Sequence, residues 1–130
     1  MQEIRTKRHV VISLHLHLVF ITKYRRKVFT KKMYERMQYH FERVCEDFGC
    51  TLVECGGEKD HVHLLVEPLP HTTPSKLVNS LKGVSSRLLR KEFPELEKHY
   101  WKGGLWSPSY FIASCGGAPL ELVKEYIEKQ

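Results

Sequence analysis

At 130 residues with 42% hydrophobic side chains, the chain is the size of one domain with its own core. Its apolar runs are too short to cross a bilayer, residues 2–9 are too polar for a secretory leader, and Cys45, Cys50, Cys55 and Cys115 show no CxxC spacing; a cytoplasmic protein with reduced thiols is expected. The net charge of +6 is uneven: residues 1–32 carry nine Lys/Arg against the single acid Glu3, an imbalance that attracts phosphates.

Residues 10–21 alternate, with Leu14, Leu16, Leu18 and Phe20 on one face and Ser13, His15, His17, Val19 and Ile21 on the other. That pattern predicts a strand with one side against a core. Next comes Lys23-Tyr24-Arg25-Arg26-Lys27-Val28-Phe29-Thr30-Lys31-Lys32, with six bases and no acid. The block suits nucleic-acid phosphates, and Tyr24 and Phe29 could stack on bases; its bland alternative is a solvated, lysine-rich turn. From about Thr30 the period changes to three and four, through Met33, Met37, Phe41, Val44, Cys45 and Phe48, with Gly49 as a helix stop. Residues 51–57 and 61–67 read as two strands joined by the turn Glu58-Lys59-Asp60.

Thr73-Pro74 predicts a helix start, and Leu77, Val78, Leu81, Val84, Leu88 and Leu89 its buried stripe. Pro94 ends it. The aromatic, glycine-broken stretch 100–114 reads as a final strand or pair of short strands, and Pro119 opens a short terminal helix. Strand, helix, strand, strand, helix, strand and one appended helix make the split βαβ, ferredoxin-like plan: an α+β domain with helices over one face of an antiparallel sheet. In this plan the first and third strands are central neighbours, which brings His15 and His17 towards His61 and His63. The open face of such a sheet is where nucleic-acid binders of this plan hold their ligands.

His61-Val62-His63 places two imidazoles on one face of a strand, above Val62, Leu64 and Val66. A rigid pair of nitrogen donors is half of a metal site, although histidines two apart also occur in ordinary half-buried strands. Tyr126 and Gln130, four apart on the terminal helix, offer a phenol and an amide oxygen on one helical face. A divalent ion between the imidazoles and the Gln130 carbonyl would polarise a phosphodiester, and Tyr126 would attack its phosphorus to give a phosphotyrosine. Tyr126 as a simple packing residue is the competing reading.

The chain resembles the single-tyrosine HUH transposases, which move small insertion sequences as single-stranded DNA. The resemblance runs through Lys23-Tyr24-Arg25-Arg26-Lys27-Val28-Phe29, Asp60-His61-Val62-His63-Leu64-Leu65, Lys82-Gly83-Val84-Ser85-Ser86-Arg87, Trp106-Ser107-Pro108-Ser109-Tyr110-Phe111 and residues 123–130, in one order over nearly the whole chain. It implies Tyr126 as the nucleophile, and His61, His63 and Gln130 as ligands of Mg²⁺ or Mn²⁺. It implies Gly116-Gly117 as a hinge, with 116–130 as hinge and catalytic helix of a single domain over 1–130. It further implies imperfect DNA hairpins as partners, met by Lys23, Tyr24, Arg25, Arg26, Lys27 and Arg87, and a homodimer in which the tyrosine helix of one subunit can complete the histidine pair of the other, with docking in cis or in trans left open. Three other readings stay open: a non-catalytic single-strand-binding module of the same plan, a rolling-circle or relaxase-type nuclease, and a zinc hydrolase.

Overall fold

The computed structural model describes residues 5–7, 10–12, 15–100, 104–114 and 126–129. A short hairpin comes first, β1 (Arg5–Lys7) paired antiparallel with β2 (Val10–Ile12). The central strand β3 (Leu16–Ile21) follows, so the alternating run expected as one strand is divided in two. Its second half alone enters the main sheet; its first half pairs with the residues before it.

Helix α1 (Lys31–Asp47) begins where the Thr30 side chain accepts a bond from the Met33 amide, and ends at Gly49, whose φ of 73° closes the last turn. Strands β4 (Thr51–Glu58) and β5 (His61–Glu67) form a hairpin. Helix α2 (Pro74–Glu92) starts on its proline, and Pro94 stops it in a 3₁₀ turn that leads to the short α3 (Glu97–Tyr100). Strand β6 (Phe111–Ser114) completes a four-stranded sheet of order β4-β5-β3-β6, antiparallel throughout. That is the ferredoxin-like arrangement, with the first and third main strands adjacent at the centre.

Two cores result, one on each face. Leu16, Leu18 and Phe20 of β3 pair with Val66, Leu64 and Val62 of β5. These six pack with Met33, Met37, Phe41 and Val44 of α1 and Leu77, Val78, Leu81 and Leu89 of α2, all buried. The opposite face carries a smaller cluster of Val19 and Ile21, covered by Phe111, Tyr126 and Ile127. At the far end of the helical layer, Glu92 of α2 accepts from Arg36 Nε at 3.0 Å and lies 2.9 Å from His40 Nε2, tying the two helices together.

The segment 82–87 of α2 is bonded to the loop 105–108. Ser85 Oγ accepts from the buried Trp106 indole at 2.9 Å and donates to the Leu81 carbonyl at 2.6 Å. Ser86 Oγ accepts from the Leu105 amide at 2.9 Å, and Lys82 Nζ donates to the Ser107 carbonyl at 2.8 Å. On the loop's other side, Ser107 N donates to Ile21 O, and Thr22 bridges Trp106, so the end of β3 is braced through this loop.

Ser85→Ala strands the Trp106 N–H in the core, a loss of about 1–3 kcal/mol. Trp106→Phe removes that donor as well, so urea unfolding of the single and double variants should give a sum of single losses larger than the double loss. Strict additivity would mean that the indole bond contributes nothing.

Candidate active site

Cross-strand register decides which side chains share the second face. Val19 lies opposite His63 and Ile21 opposite His61, so the two imidazoles stand beside the smaller cluster, on the side away from α1 and α2. His17 joins them, its ring 5.9 Å from that of His63 and edge-on to it. Of the four histidines expected to meet, His17, His61 and His63 share this sheet face.

His61 is held from both sides. Its Nδ1 lies 2.8 Å from Asp60 Oδ1, and Asp60 Oδ2 lies 3.1 Å from Arg25 Nε. Burial would push the Asp60 carboxyl up, but the hydrogen bonds and charges of His61 and Arg25 outweigh it and hold the group below the usual range. An ionised carboxylate only accepts, so Nδ1 donates to Asp60 and Nε2 of His61 is turned away from that bond. His63 is pushed below its ordinary value by burial first and by His61 second, with Glu54 opposing. It is therefore a neutral imidazole with a free lone pair near neutral pH. The donor chemistry fits a divalent cation between the two rings. Among the described residues no third histidine, cysteine or carboxylate completes a metal-sized cluster. The other expected ligand, Gln130, lies outside the described residues, as do Gly116 and Gly117.

Two glycines make room for this pair. Gly56 faces His63 across the hairpin, and a Cβ on it would sit 3.0 Å from His63 Nε2. A Cβ on Gly57 would fall 2.2 Å from the His61 carbonyl oxygen and 2.5 Å from the Tyr34 hydroxyl. That hydroxyl wedges α1 against the hairpin, lying between the carbonyls of His61 and Glu58. Burial raises its pKa, so it stays a donor. The sequence reading passed over Gly56, Gly57 and Tyr34; the available signal was a glycine pair inside a strand pattern, which marks a close approach.

The basic block is a strained turn. Tyr24 and Arg25 both have positive φ, 64° and 54°, a conformation that costs on the order of 1–3 kcal/mol for each non-glycine residue. The turn is fixed by Arg25 N donating to Thr22 O at 2.8 Å and by Thr22 Oγ1 donating to Arg26 O at 2.9 Å. It aims Arg25 at Asp60 and leaves the Tyr24 ring 72% exposed, with the Arg26 guanidinium 5.0 Å from its centre. Arg26 also lies over Tyr100 and donates to the His99 carbonyl at 2.5 Å, so it braces the fold as well. Lys27 is exposed and Lys23 half-buried. Phe29 is core, packed on Trp106 and Tyr34, and cannot stack on a base.

Arg25, Lys27, Lys59, Asp60, His61 and Ile127 line a cavity of about 340 Å³. Tyr126, beside Ile127, packs its ring 5.4 Å from Phe111 and its hydroxyl 3.3 Å from Ser109 Oγ. The tyrosine and the histidine pair thus share one sheet face. Arg87 does not join them: it is exposed on α2, across the sheet.

Residues 10–130 match the family model described as "Transposase IS200 like". The chain is 30% identical over 128 residues to the ISDra2 transposase TnpA of Deinococcus radiodurans, covering 98% of this chain and 91% of that protein. It is 28% identical over 122 residues to the transposase for insertion sequence element IS200 of Salmonella typhimurium, covering 94% and 80%. A crystal structure of a protein from Deinococcus radiodurans R1 superposes with a TM-score of 0.85 at 31% identity, covering 97% of each chain. A REP-associated tyrosine transposase bound to a REP hairpin shares the fold, with a TM-score of 0.59 at 12% identity over 96% of this chain and 67% of that one.

Gly57→Ala should lower unfolding stability by more than about 2 kcal/mol, because the new methyl meets backbone on the neighbouring strand. Gly56→Ala should cost less, since the His63 ring tip can give way. Equal, small losses in a urea titration would show that the hairpin tolerates side chains beside the pair.

Proposed function

The chain belongs to the IS200-like transposase family, and on that premise we propose that it cuts and rejoins single-stranded DNA at hairpin-marked element ends through a phosphotyrosine on Tyr126. One observation carries this reading: Tyr126 packs beside Val19 and Ile21, on the sheet face that also presents His61 and His63.

In this mechanism the strand enters along the cavity beside His61, where Arg25, Lys27 and Lys59 meet its phosphates and the exposed Tyr24 ring takes a base. His61 and His63, with Gln130, would hold Mg²⁺ or Mn²⁺, which when bound neutralises charge on the scissile phosphate. Asp60 keeps the His61 ring in the tautomer that turns Nε2 outward. The Tyr126 oxygen gives its proton to solvent and attacks phosphorus. The bond to the 3′ oxygen breaks, that oxygen takes a proton, and the 5′ phosphate stays on the tyrosine. A later 3′-hydroxyl attacks the phosphotyrosine, restores the phenol and joins the strands, so no high-energy cofactor is consumed. The family likeness further supports a homodimer as the working unit. Among the described residues no helix is long and apolar enough to cross a membrane.

Incubated with hairpin-bearing single-stranded DNA and Mn²⁺, the protein should yield a covalent adduct that survives a denaturing gel. Tyr126→Phe should abolish the adduct and leave hairpin affinity within about twofold, and chelation by EDTA should abolish it in the unchanged protein. Full adduct yield from Tyr126→Phe would remove the tyrosine from the chemistry. Cleavage by the unchanged protein with no adduct would favour water as the nucleophile.

A further inference from the structure

The segment Trp106-Ser107-Pro108-Ser109-Tyr110-Phe111 is only partly used by the fold and by the chemistry above. Trp106 is core, and Phe111 covers the smaller cluster beside Tyr126. Ser107 and Ser109 pack into neither: Ser109 is exposed and Ser107 half-buried. Their hydroxyls nevertheless meet. Ser107 Oγ lies 3.4 Å from Ser109 Oγ, and the Tyr126 phenol donates to Ser109 Oγ at 3.3 Å. A chain of three hydroxyls thus ends on the oxygen proposed to attack phosphorus.

Two residues two apart hold different parts of the tyrosine. Phe111, with Val19 and Ile21, packs the ring, an apolar contact that places no restraint on the oxygen at its far end. Ser109 takes the oxygen. A bond of 3.3 Å is long for two hydroxyls, and such bonds often tighten only once substrate is in place. Ser109 is itself well placed. Pro108 before it limits the backbone. From α2, Lys82 Nζ donates to the Ser107 and Pro108 carbonyls at 2.8 and 3.3 Å and lies 5.4 Å from the centre of the Tyr110 ring. Ser107 N donates to Ile21 O at 2.7 Å, which ties the loop to the strand residue opposite His61. The loop is therefore anchored on α2 and β3 and offers the tyrosine a fixed partner.

We infer that Ser109 is a positioning residue for the nucleophile, its hydroxyl holding the Tyr126 oxygen in line for both the cutting and the rejoining step. This rests on the functional reading above and deepens it. A serine hydroxyl can accept and donate in turn. In the resting protein it accepts from the phenol. Once the phenol has given its proton to solvent, Ser109 turns its own O–H to the oxygen, a stronger bond because the acceptor is charged. In rejoining, a 3′-hydroxyl attacks phosphorus and loses its proton to solvent. The bond from phosphorus to the Tyr126 oxygen breaks with its electron pair on that oxygen, and the Ser109 O–H receives it until solvent returns a proton. Ser107 supports Ser109 from behind.

The test uses Ser109→Ala and the conservative Ser109→Thr, which keeps the hydroxyl. Because Ser109 is exposed, Tm should stay within about 2 °C in both. With hairpin-bearing single-stranded DNA at saturation and Mn²⁺, single-turnover rates of adduct formation and of rejoining should each fall about tenfold in Ser109→Ala, the order of one hydrogen bond. DNA affinity should stay within about twofold, and Ser109→Thr should recover most of both rates. Ser107→Ala should slow them less than Ser109→Ala does. In the metal-free protein, the ¹⁹F resonance of fluorotyrosine at position 126 should move in Ser109→Ala and return in Ser109→Thr. Unchanged rates in Ser109→Ala would overturn the assignment. So would a loss confined to DNA affinity, which would make Ser109 a DNA contact, or a Ser109→Thr protein as slow as Ser109→Ala. If the unchanged protein forms no adduct, the functional reading itself fails. If it does and Ser109→Ala matches it, only the role of Ser109 is lost.

Discussion

The pairing of β3 with β5 is the constraint from which the rest follows. Leu18 opposite Leu64 and Phe20 opposite Val62 fill the helical core, and this fixes Val19 opposite His63 and Ile21 opposite His61 on the other side. A slip of one residue would carry every side chain of β5 to the wrong face, burying two imidazoles among methionines and leucines. Burial of Val62, Leu64 and Val66, each at 0% exposure, forbids that slip. The apolar alternation that folds the strand thus also aims the histidines.

Precision at the pair comes from less regular parts. Asp60, at the turn, joins His61 to Arg25, and Arg25 reaches it because two residues of the preceding turn accept positive φ. Gly56 and Gly57 let β4 lie against the rings, and Tyr34 pins the same hairpin to α1. Each support is a polar bond or a missing side chain, and the positive φ values of Tyr24 and Arg25 are strain held in place by the bonds around them. Strain of this kind persists where surrounding packing enforces it, and it gathers around sites that must hold a fixed geometry.

Much of this was legible in the sequence. The period-2 runs over Leu16–Ile21 and His61–Glu67, the helical stripe from Met33 to Val44, and the stops at Gly49 and Pro94 are local signals that appear as expected. The sheet order followed from the element order. Other features depend on contacts between distant segments. Ser85 and Ser86 fall on the buried stripe because the 105–108 loop supplies their partners, while Val84 is only half-buried. Phe29 looked like a stacking ring beside the basic block, yet Trp106, far along the chain, draws it into the core. The early hairpin of β1 and β2 was hidden because its second strand continues the alternation of β3 without a turn signal. Gln130, Gly116 and Gly117 lie outside the described residues, so their assigned roles rest on resemblance.

The central claim is that the paired imidazoles and the Tyr126 phenol form a single centre. Tyrosines labelled with ¹⁹F and titrated with Mn²⁺ test it directly, because the paramagnetic ion broadens nearby resonances steeply with distance. Tyr126 should broaden at low Mn²⁺ together with Tyr34, whose hydroxyl touches the His61 carbonyl, while Tyr39 on the outer face of α1 stays sharp; all broadening should vanish in His61→Ala/His63→Ala. A Tyr126 signal that stays sharp while Tyr34 broadens would contradict the account.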